Sequence, residues 1–318
     1  MRILITGGAG FIGSNLAEAA LREPFVTEVA ILDDLSVGLR GNIADLDAEF
    51  VEGSILDPDA LDAAMAGRDA VVHLAALGSV PRSLDNPIAT HHANATGTLM
   101  LLEAARRHDI GHVLLASSSS VYGMNPALPK EELTWTRPMS PYAASKLAAE
   151  AYALAHQSSF AIPTLAFRFF NVFGPRQRHD HPYSAVIPRF VHAALRGDRV
   201  VVHGDGTQSR DFTYVGTVCE VILDALSRRV SHPHPVNLAF GARATLLQVL
   251  TELESLLGHS IDRDHAPSRT GDVPHSLADN SVLRELFPKV DPVARPDGLR
   301  ETFEWMAAHV GSERLAPR

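Results

Sequence analysis

The stretch RILITGGAGFIG, residues 2–13, decides the fold. An apolar run typical of a buried strand leads into a turn that carries Gly7, Gly10 and Gly13, and a helical pattern begins directly afterwards. Glycine at these positions keeps the turn tight and lets the backbone approach a pyrophosphate at the helix N-terminus. The stretch therefore predicts a dinucleotide-binding strand–turn–helix unit.

An acidic residue follows the glycine turn at the spacing that such units require. Asp33 lies near the end of the next apolar run, EVAILDD, about 20 positions after the turn. Its carboxylate is placed to accept hydrogen bonds from both hydroxyls of a ribose. A carboxylate there repels a 2′-phosphate, and Asp34 follows it in place of an arginine. These residues predict NAD rather than NADP as the cofactor.

Strand and helix patterns alternate as far as residue 170. The further strand candidates are AEFVEG, DAVVHLAA and HVLLASSSS, and stretches with helical spacing separate them. Continuously apolar strands joined by helical crossovers are typical of a parallel sheet covered on both faces. We therefore predict an α/β protein with a Rossmann-type, doubly wound parallel sheet over residues 1–170.

The pattern changes beyond Gly174, where GPRQRHDHPYS is rich in Pro, Gly and polar residues. Helical patterns then alternate with the short strand candidates RVVVHG and PVNLAF. We expect a smaller α/β lobe over residues 171–318, interwoven with the first domain because some of the chain crosses back. The helical patterns of this part cover residues 185–195, 215–228, 246–257 and 298–309.

Composition excludes several classes of protein. With 318 residues, 46% of them hydrophobic, the chain has enough apolar material for a full core. No apolar run approaches the roughly 20 residues of a membrane-spanning helix, and no signal peptide precedes the first strand pattern. A net charge of −9 without a block of Lys and Arg argues against nucleic-acid binding.

The cysteine and histidine content argues against a metal site. Cys219 is the single cysteine, which excludes an internal disulfide and a Cys-rich zinc site and fits a reducing cytoplasm. The 16 histidines are scattered, without a helical HxxxH pattern. We therefore predict no metal and a cytoplasmic protein.

A phenol and an ammonium share one helix face in SPYAASKLAAEAYALA. Tyr142 and Lys146 lie four residues apart, which is about one turn of helix. Tyrosine is a poor base at neutral pH, and a neighbouring ammonium favours the phenolate and lowers its pKa. Such a Tyr–Lys spacing is common by chance, but here a strand that ends in serines lies upstream, at the ligand-binding edge of the predicted sheet. We predict that a strand-end serine, Tyr142 and Lys146 act together on an alcohol or ketone oxygen.

In this order, the motifs resemble those of extended short-chain dehydrogenases/reductases of the NAD-dependent epimerase/dehydratase family. The similarity covers nearly the whole chain. Within the family, AALGSVPRS and GDVPHSLADNS are most similar to the UDP-N-acetylglucosamine and UDP-glucuronate 4-epimerases. The motifs that carry the resemblance are TGGAGFIG, LDDLSVG, VVHLAA, SSSSVYG, PYAASK, RFFNVFGPRQ, GDGTQSRDFTYV and RTGDVPHSLAD.

The resemblance implies a catalytic triad of Ser118, Tyr142 and Lys146. It also implies a full set of contacts to NAD, among which Ser54 replaces the aspartate that relatives usually place against the adenine. The implied NAD contacts are Gly7, Gly10, Phe11, Ile12, Gly13, Asp33, Asp34, Ser36, Gly38, Ser54, Ile55, Leu74, Ala75, Ala76, Asn94, Ser117, Tyr142, Lys146 and Phe169.

Two further serines bear on the reaction. The nucleotide-sugar 4,6-dehydratases of the family carry an acidic pair after the catalytic hydroxyl, because eliminating water across C5–C6 needs an acid and a base. Ser119 and Ser120 occupy those positions here. We therefore expect a 4-epimerase, in which tightly bound NAD takes a hydride from C4 and returns it to the other face while Tyr142 moves the proton. The alternative is a dehydratase or another NAD-dependent nucleotide-sugar oxidoreductase of this family.

The resemblance also implies that residues 171–318 mainly bind a UDP-sugar. Arg210 and Arg269 would bind the diphosphate, because a guanidinium makes bidentate, permanently charged contacts to phosphate. The implied substrate contacts are Ser79, Arg82, Ser118, Ser119, Ser120, Tyr142, Asn171, Arg178, Val186, Val201, His203, Arg210, Arg269, Asp272 and Ser276.

The sequence leaves the sugar open between UDP-N-acetylglucosamine, UDP-glucuronate and plain UDP-glucose. Ser276 resembles a gatekeeper that is tyrosine in relatives restricted to unsubstituted hexoses, so that its small side chain leaves room for a C2 acetamido group. Arg178 and the serine run at residues 118–120 would instead receive a C6 carboxylate.

Two other classes of function compete with this interpretation. A non-catalytic NAD-sensing protein typically loses the tyrosine or the lysine, and both are present. A simple alcohol or ketone reductase exchanges its cofactor and needs no phosphate-binding arginines. By resemblance, helices near residues 94–107 and 142–157 pair in a homodimer.

Overall fold

The computed structural model of the protein describes residues 1–181, 183–267 and 275–313. The strands of this part of the chain are β1 (Arg2–Thr6), β2 (Glu28–Asp33), β3 (Glu49–Glu52), β4 (Ala70–His73), β5 (Val113–Ser118), β6 (Thr164–Phe169), β7 (Val172–Phe173), β8 (Val200–His203), β9 (Ser209–Asp211), β10 (Thr213–Tyr214), β11 (Val236–Leu238), β12 (Arg243–Thr245) and β13 (Arg263–Ala266).

The α-helices surround and connect these strands. They are α1 (Phe11–Ala20), α2 (Pro58–Met65), α3 (Val80–Asp85), α4 (Pro87–His91), α5 (Gly97–Arg107), α6 (Pro141–Phe160), α7 (Val186–Arg196), α8 (Val215–Arg228), α9 (Leu246–Leu257), α10 (Ser281–Leu286) and α11 (Arg295–Glu313).

Seven strands form one parallel sheet in the order β11-β6-β5-β4-β1-β2-β3. The chain runs outward from β1 to β3 on one side, and then outward from β4 through β5 and β6 on the other. The strand order therefore reverses between β1 and β4, and in such sheets ligands bind beyond the carboxyl ends of the strands at this point. The predicted Rossmann-type fold is confirmed.

Both faces of the sheet are buried, which explains the continuously apolar strands. In β1, Ile3 and Ile5 belong to the core that also contains residues of α1 and α8. Leu4 between them belongs to the opposite core, with residues of α2 and α5. Since alternate residues of a strand point to opposite faces, each face needs its own apolar set.

The part of the chain after residue 170 both extends the main sheet and adds small ones. Strand β11 pairs with β6, so that the chain crosses back to the central sheet. Three two-stranded sheets, β10-β7, β12-β9 and β13-β8, lie outside it. The helical patterns predicted for residues 215–228 and 246–257 match α8 and α9, whereas α11 begins three residues before the predicted residue 298. Among the described helices, none is long and apolar enough to cross a membrane.

Candidate active site

The glycine turn brings three parts of the backbone into close contact. Gly7 has φ +70°, and a Cβ on it would lie 2.7 Å from the amide nitrogen of Ala75. A Cβ on Gly13 would lie 2.3 Å from the carbonyl oxygen of Gly7. A side chain at either position would push α1 away from the strand ends. The N-terminal residues of α1 therefore reach the edge of the sheet, as the dinucleotide-binding prediction requires.

A cavity of about 850 Å³ lies along this edge. All of the predicted NAD contacts except Asn94 line it, and so do the predicted substrate contacts Ser79, Ser118, Ser119, Ser120 and Asn171. The strand ends, the N-terminus of α1 and the start of α6 thus enclose one space that is shaped for a dinucleotide.

Asn94 holds a wall of this cavity instead of lining it. Its side chain is buried, its Oδ1 accepts a hydrogen bond from the Leu77 amide at 2.7 Å, and its Nδ2 donates to the Leu77 carbonyl and to Ser145 Oγ. A direct contact between Asn94 and NAD therefore stays a prediction, and in this structure the amide is bonded to the loop that lines the cavity.

Asp33 fits the role of a ribose-binding carboxylate. Its Oδ2 accepts a hydrogen bond from the Ala9 amide at 3.0 Å, and its Oδ1 accepts one from the Leu35 amide at 2.8 Å. Burial raises the pKa of Asp33, while these two backbone hydrogen bonds lower it in part. Each carboxylate oxygen keeps a second lone pair that can accept from a ribose hydroxyl. The residues of this cavity thus fit NAD.

Helix α6 carries the predicted catalytic pair at its start. Ser140 caps the helix by accepting a hydrogen bond from the Ala143 amide at 3.1 Å, and Pro141 opens the first turn, so that Tyr142 and Lys146 follow on one face. Both side chains line the large cavity, and Lys146 Nζ donates a hydrogen bond to the Ala116 carbonyl at 2.8 Å. The helix is thereby fixed against the end of β5.

The protonation equilibria of this pair differ from the sequence prediction. Burial raises the pKa of Tyr142 above its usual value, and a hydrogen bond with Ser118 lowers it in part. Burial lowers the pKa of Lys146 to about 8. The net lowering of the Tyr142 pKa that the sequence predicts is therefore not found in the polypeptide by itself, because desolvation of the phenolate is the larger effect.

The serines at the end of β5 have different partners. Ser118 Oγ accepts hydrogen bonds from the Ser120 hydroxyl at 2.8 Å and from the Ser120 amide at 3.2 Å. Ser119 begins the short 3-10 turn that follows, and its side chain is half-buried. Ser117 Oγ instead donates to buried Glu150 at 2.6 Å, although Ser117 also lines the cavity. Of these serines, Ser118 is the one that lowers the pKa of Tyr142.

A second cavity of about 230 Å³ adjoins the first. Five of the predicted substrate contacts line it, namely Asn171, Val186, Val201, His203 and Arg210. Asn171 lines both cavities, adopts the left-handed φ of +33°, and donates from Nδ2 to the Asp211 carbonyl at 3.0 Å. The residues shared by the two cavities are Asn171, Val172, Gln177 and Ala185.

Three predicted substrate contacts lie outside both cavities. Arg178 pairs with Asp180 at 2.8 Å and donates to the Val37 carbonyl at 3.3 Å, which places it on the side of the loop after β2. Arg82 lies 3.0 Å from His181 Nε2. Half-buried Ser276 donates from its amide to the Ser209 carbonyl at 3.0 Å. Two further predicted contacts, Arg269 and Asp272, lie outside the described residues.

Some of the residues that line the smaller cavity were not predicted from the sequence. Gln177 belongs to the GPRQ segment that carries the resemblance, but no substrate or cofactor contact was predicted for it. Arg189 follows Val186 by three residues and therefore lies on the same face of α7, a spacing that could have identified it. Gln208 and Phe212 flank Arg210 in a segment of very short strands, and no pattern there marks which side chains point inward. Within the described residues no group of three or more His, Cys, Asp or Glu could hold a metal ion.

Comparisons with known proteins agree with this geometry. Residues 3–239 match the model of the NAD dependent epimerase/dehydratase family. The chain is 36% identical to a dTDP-glucose 4,6-dehydratase of Streptomyces niveus, over 96% of this chain and 92% of that protein.

Two solved structures are similar over almost their whole lengths. The UDP-N-acetylglucosamine 4-epimerase of Methanobrevibacter ruminantium M1, in complex with UDP-N-acetylmuramic acid, has a TM-score of 0.90 and 36% identity, covering 97% of this chain and 98% of that one. The UDP-glucuronic acid 4-epimerase of Bacillus cereus, in complex with UDP-glucuronic acid and NAD, has a TM-score of 0.89 and 30% identity, covering 98% and 100%. The chain therefore belongs to the NAD-dependent epimerase/dehydratase family and is an NAD-dependent enzyme that acts on nucleotide sugars.

Proposed function

We propose that the protein is a UDP-sugar 4-epimerase that inverts C4 through a transient 4-keto intermediate. UDP-glucuronate and UDP-N-acetylglucosamine are the first candidates for its substrate, followed by UDP-glucose. Residues 1–170 would bind NAD, and residues 171–318 would mainly bind the nucleotide sugar.

The placement of acidic groups carries this proposal. Among the described residues that line the large cavity, the carboxylates are Asp33 and Asp34, at the end of β2. Strands β1 and β4 separate them from Ser118 at the end of β5. A dehydratase needs an acid and a base beside the sugar, and Ser119 and Ser120 supply neither. This arrangement favours the epimerase over its alternative, even though a dehydratase is among the relatives.

The chain's own groups account for the proton transfer. NAD, when bound in the large cavity, supplies a reversible hydride acceptor for C4. Tyr142 Oη takes the proton of the C4 hydroxyl and returns it when C4 is reduced again. The single hydroxyl proton of Ser118 would be donated to the Tyr142 phenolate before oxidation, and to the C4 oxygen once the keto group has formed and Tyr142 holds the proton. Lys146, buried and held on the Ala116 carbonyl, places a positive charge on the Tyr142 face of α6 and thereby favours the phenolate.

Inversion requires that the sugar turns while the rest of the substrate stays bound. The smaller cavity suits the uridine diphosphate, because Arg210 and Arg189 offer guanidinium groups to phosphate and Phe212 offers an apolar wall. Asn171 and Gln177 line the junction with the large cavity. The sugar would cross this junction to reach Tyr142.

The structure weighs on the choice between the sugars. Arg178, the cation expected to receive a C6 carboxylate, is paired with Asp180 and lies beside Val37. Of the residues expected to bind the C6 carboxylate, only the serines at residues 118–120 therefore line the large cavity. They offer hydroxyl and amide groups as hydrogen-bond donors. Ser276 is tied to the strand that carries Arg210, and its small side chain is compatible with a C2 acetamido group.

The deciding experiment incubates the purified protein in D₂O, without added NAD, separately with UDP-glucose, UDP-N-acetylglucosamine and UDP-glucuronate. NMR of the products should show the C4 epimer of at least one sugar with no deuterium at C5. A 4-keto-6-deoxy product labelled at C5 would identify a dehydratase. A requirement for added NAD, with stoichiometric NADH formation, would identify a reductase-type enzyme.

We also propose a homodimer formed by α5 and α6 and a cytoplasmic location. Tyr152 and Phe160 of α6 expose 42% and 49% of their surfaces, and such aromatic residues are typical of helix pairs that bury them between subunits. Light scattering on the purified protein should give twice the mass of the chain, and the mass of a single chain would contradict the dimer.

A further inference from the structure

A buried ion pair lies behind the catalytic hydroxyls. Glu150 of α6 and Arg168 of β6 each expose 4% of their side chains. The guanidinium donates two hydrogen bonds to the carboxylate, from Nη2 to Oε1 at 2.7 Å and from Nε to Oε2 at 3.0 Å. Neither residue lines either cavity, so that the pair has no direct contact to offer a cofactor or a sugar.

The pair holds the ends of two neighbouring strands. Ser117 Oγ donates to Glu150 Oε2 at 2.6 Å, and Ser117 lies opposite Arg168 in the register of β5 and β6. The guanidinium also donates to the Glu132 carbonyl at 2.9 Å and lies 4.7 Å from the centre of the Tyr122 ring. One carboxylate of α6 thus ties both strand ends to the helix.

Three successive turns of α6 contact the last three residues of β5. Tyr142, Lys146 and Glu150 follow at four-residue spacing and lie on one helix face. Tyr142 and Ser118 line the same cavity, and Ser118 lowers the pKa of Tyr142 in part. Lys146 Nζ donates to the Ala116 carbonyl at 2.8 Å. The ion pair makes the third contact. Together the three contacts define how far the helix can slide along the strand.

Stability is a poor explanation for such a pair. Desolvating two charges cancels most of their mutual attraction, and apolar side chains of similar volume often do at least as well in a protein interior. The hydrogen bonds of the pair explain it better. They are directional and reach a strand end, so they fix one position of the helix relative to the strand. The site where this position matters is one residue away, where Tyr142 meets Ser118.

We propose that Glu150, oriented by Arg168, is a positioning residue that sets α6 against β5 and so keeps the Tyr142 hydroxyl in hydrogen-bonding reach of Ser118. The proposal rests on the proposed function, which gives Tyr142 and Ser118 their roles.

The test compares three variants of the NAD-loaded enzyme. Ser117→Ala removes the contact between strand and carboxylate while leaving the ion pair intact, and Glu150→Gln removes the charge. Ser158→Ala is the matched control, because Ser158 is exposed on the same helix and donates only locally, to the Leu154 carbonyl. The rate of NADH formation after mixing with UDP-sugar is followed by absorbance across pH, since oxidation at C4 is the first step for epimerases and dehydratases alike.

In Ser117→Ala the midpoint of the rising limb of the pH profile should move up by about half a unit to one unit, because the phenolate loses part of its hydrogen bonding. KM and bound NAD should stay unchanged, because the Ser117 hydroxyl donates its proton to Glu150 and has none left for the cofactor. Ser117→Thr should restore the profile. Glu150→Gln should shift the limb further and slow the step by about tenfold, the effect of one weakened hydrogen bond to a charged group. Ser158→Ala should behave as the unmodified protein.

A lower melting temperature with an unshifted pH profile would make the pair merely structural and overturn the proposal. Loss of NAD from Ser117→Ala with an unshifted profile would assign Ser117 to the cofactor instead. If Glu150→Gln does not fold, Ser117→Ala decides. Absence of NADH formation in the unmodified protein would count against the proposed function. In that case the crystal structure of Ser117→Ala decides, and an unmoved Lys146 Nζ, still 2.8 Å from the Ala116 carbonyl, would refute the positioning role.

Discussion

The cofactor side of the site, along the large cavity, and its proposed sugar side, along the smaller cavity, are built differently. The cofactor side consists of strand ends, the start of α1 and the start of α6, and the side chains predicted for it line one large cavity, with Asn94 as the exception. The sugar side consists mainly of loops and very short strands after residue 170. The arginines predicted for the sugar side have different surroundings, because Arg210 lines the smaller cavity and Arg178 pairs with Asp180. Ends of long regular elements place side chains predictably, and loops do not.

Tyr142→Phe should have the largest effect, and it tests the cofactor side. The change removes the oxygen that carries the proton, so that turnover should fall by about 10²–10⁴-fold. Bound NAD, measured after heat release, should stay unchanged, because the glycine turn and Asp33 are intact. Tyr152→Phe is the matched control, because Tyr152 is on the same helix, lines neither cavity and keeps its aromatic ring in this variant. Near-normal turnover of Tyr142→Phe would remove this residue from its role.

Gly13→Ala should come next, because it attacks the turn on which the cofactor side depends. A Cβ there would lie 2.3 Å from the Gly7 carbonyl oxygen, so α1 must shift. Overpacking of this kind costs about 1–3 kcal/mol. We expect the dissociation constant for NAD to rise by about 10–100-fold. Gly41→Ala is the control, since a Cβ at Gly41 meets no atom within 4 Å. Equal retention of NAD by both variants would contradict the close packing of the turn.

These two variants probe the cofactor side, which could be predicted from the sequence for a physical reason. Strand β1 is buried on both faces, so its apolar run, the glycine turn and the helix start could be placed from a short local pattern. Tyr142 and Lys146 lie in a 20-residue helix whose spacing fixes their common face. The protonation of Tyr142 could not be predicted in this way, because it depends on desolvation by neighbours that are distant in sequence.

The sugar side shows where local patterns fail. Arg178 and Arg210 both follow polar, Gly- or Pro-containing segments, and nothing in the sequence distinguishes the one that meets Asp180 from the one that lines a cavity. The partners of Asn94 could not be predicted for a related reason. Its amide is consumed by the backbone of Leu77, a tertiary contact that leaves no trace in the spacing of residues.

Arg210→Ala should sharpen the comparison, because it affects the sugar side and spares the other. A charge-assisted hydrogen bond contributes about 1.5–3 kcal/mol, so the dissociation constant for UDP, measured by calorimetry, should rise by about 10–100-fold. The affinity for NAD should not change. Arg196→Ala is the control, since Arg196 is exposed on α7 and paired with Asp198. Weakened NAD binding with unchanged UDP binding would reverse the assignment of the two cavities.

Ser276→Tyr should have the smallest effect and probes the part of the sugar side that is least determined. The Ser276 amide is bonded to the Ser209 carbonyl, directly before Arg210, so a tyrosine at position 276 would start from the edge of the strand that carries Arg210. A bulky ring in the space for a C2 substituent should lower kcat/KM for UDP-N-acetylglucosamine by about tenfold relative to UDP-glucose, a difference of about 1.4 kcal/mol. UDP-glucose is the internal reference, because a general disturbance of the strand would slow both sugars alike. Equal losses would therefore refute the gatekeeper role while leaving the cofactor side untouched, and selective loss would show that a loop position can specify the sugar.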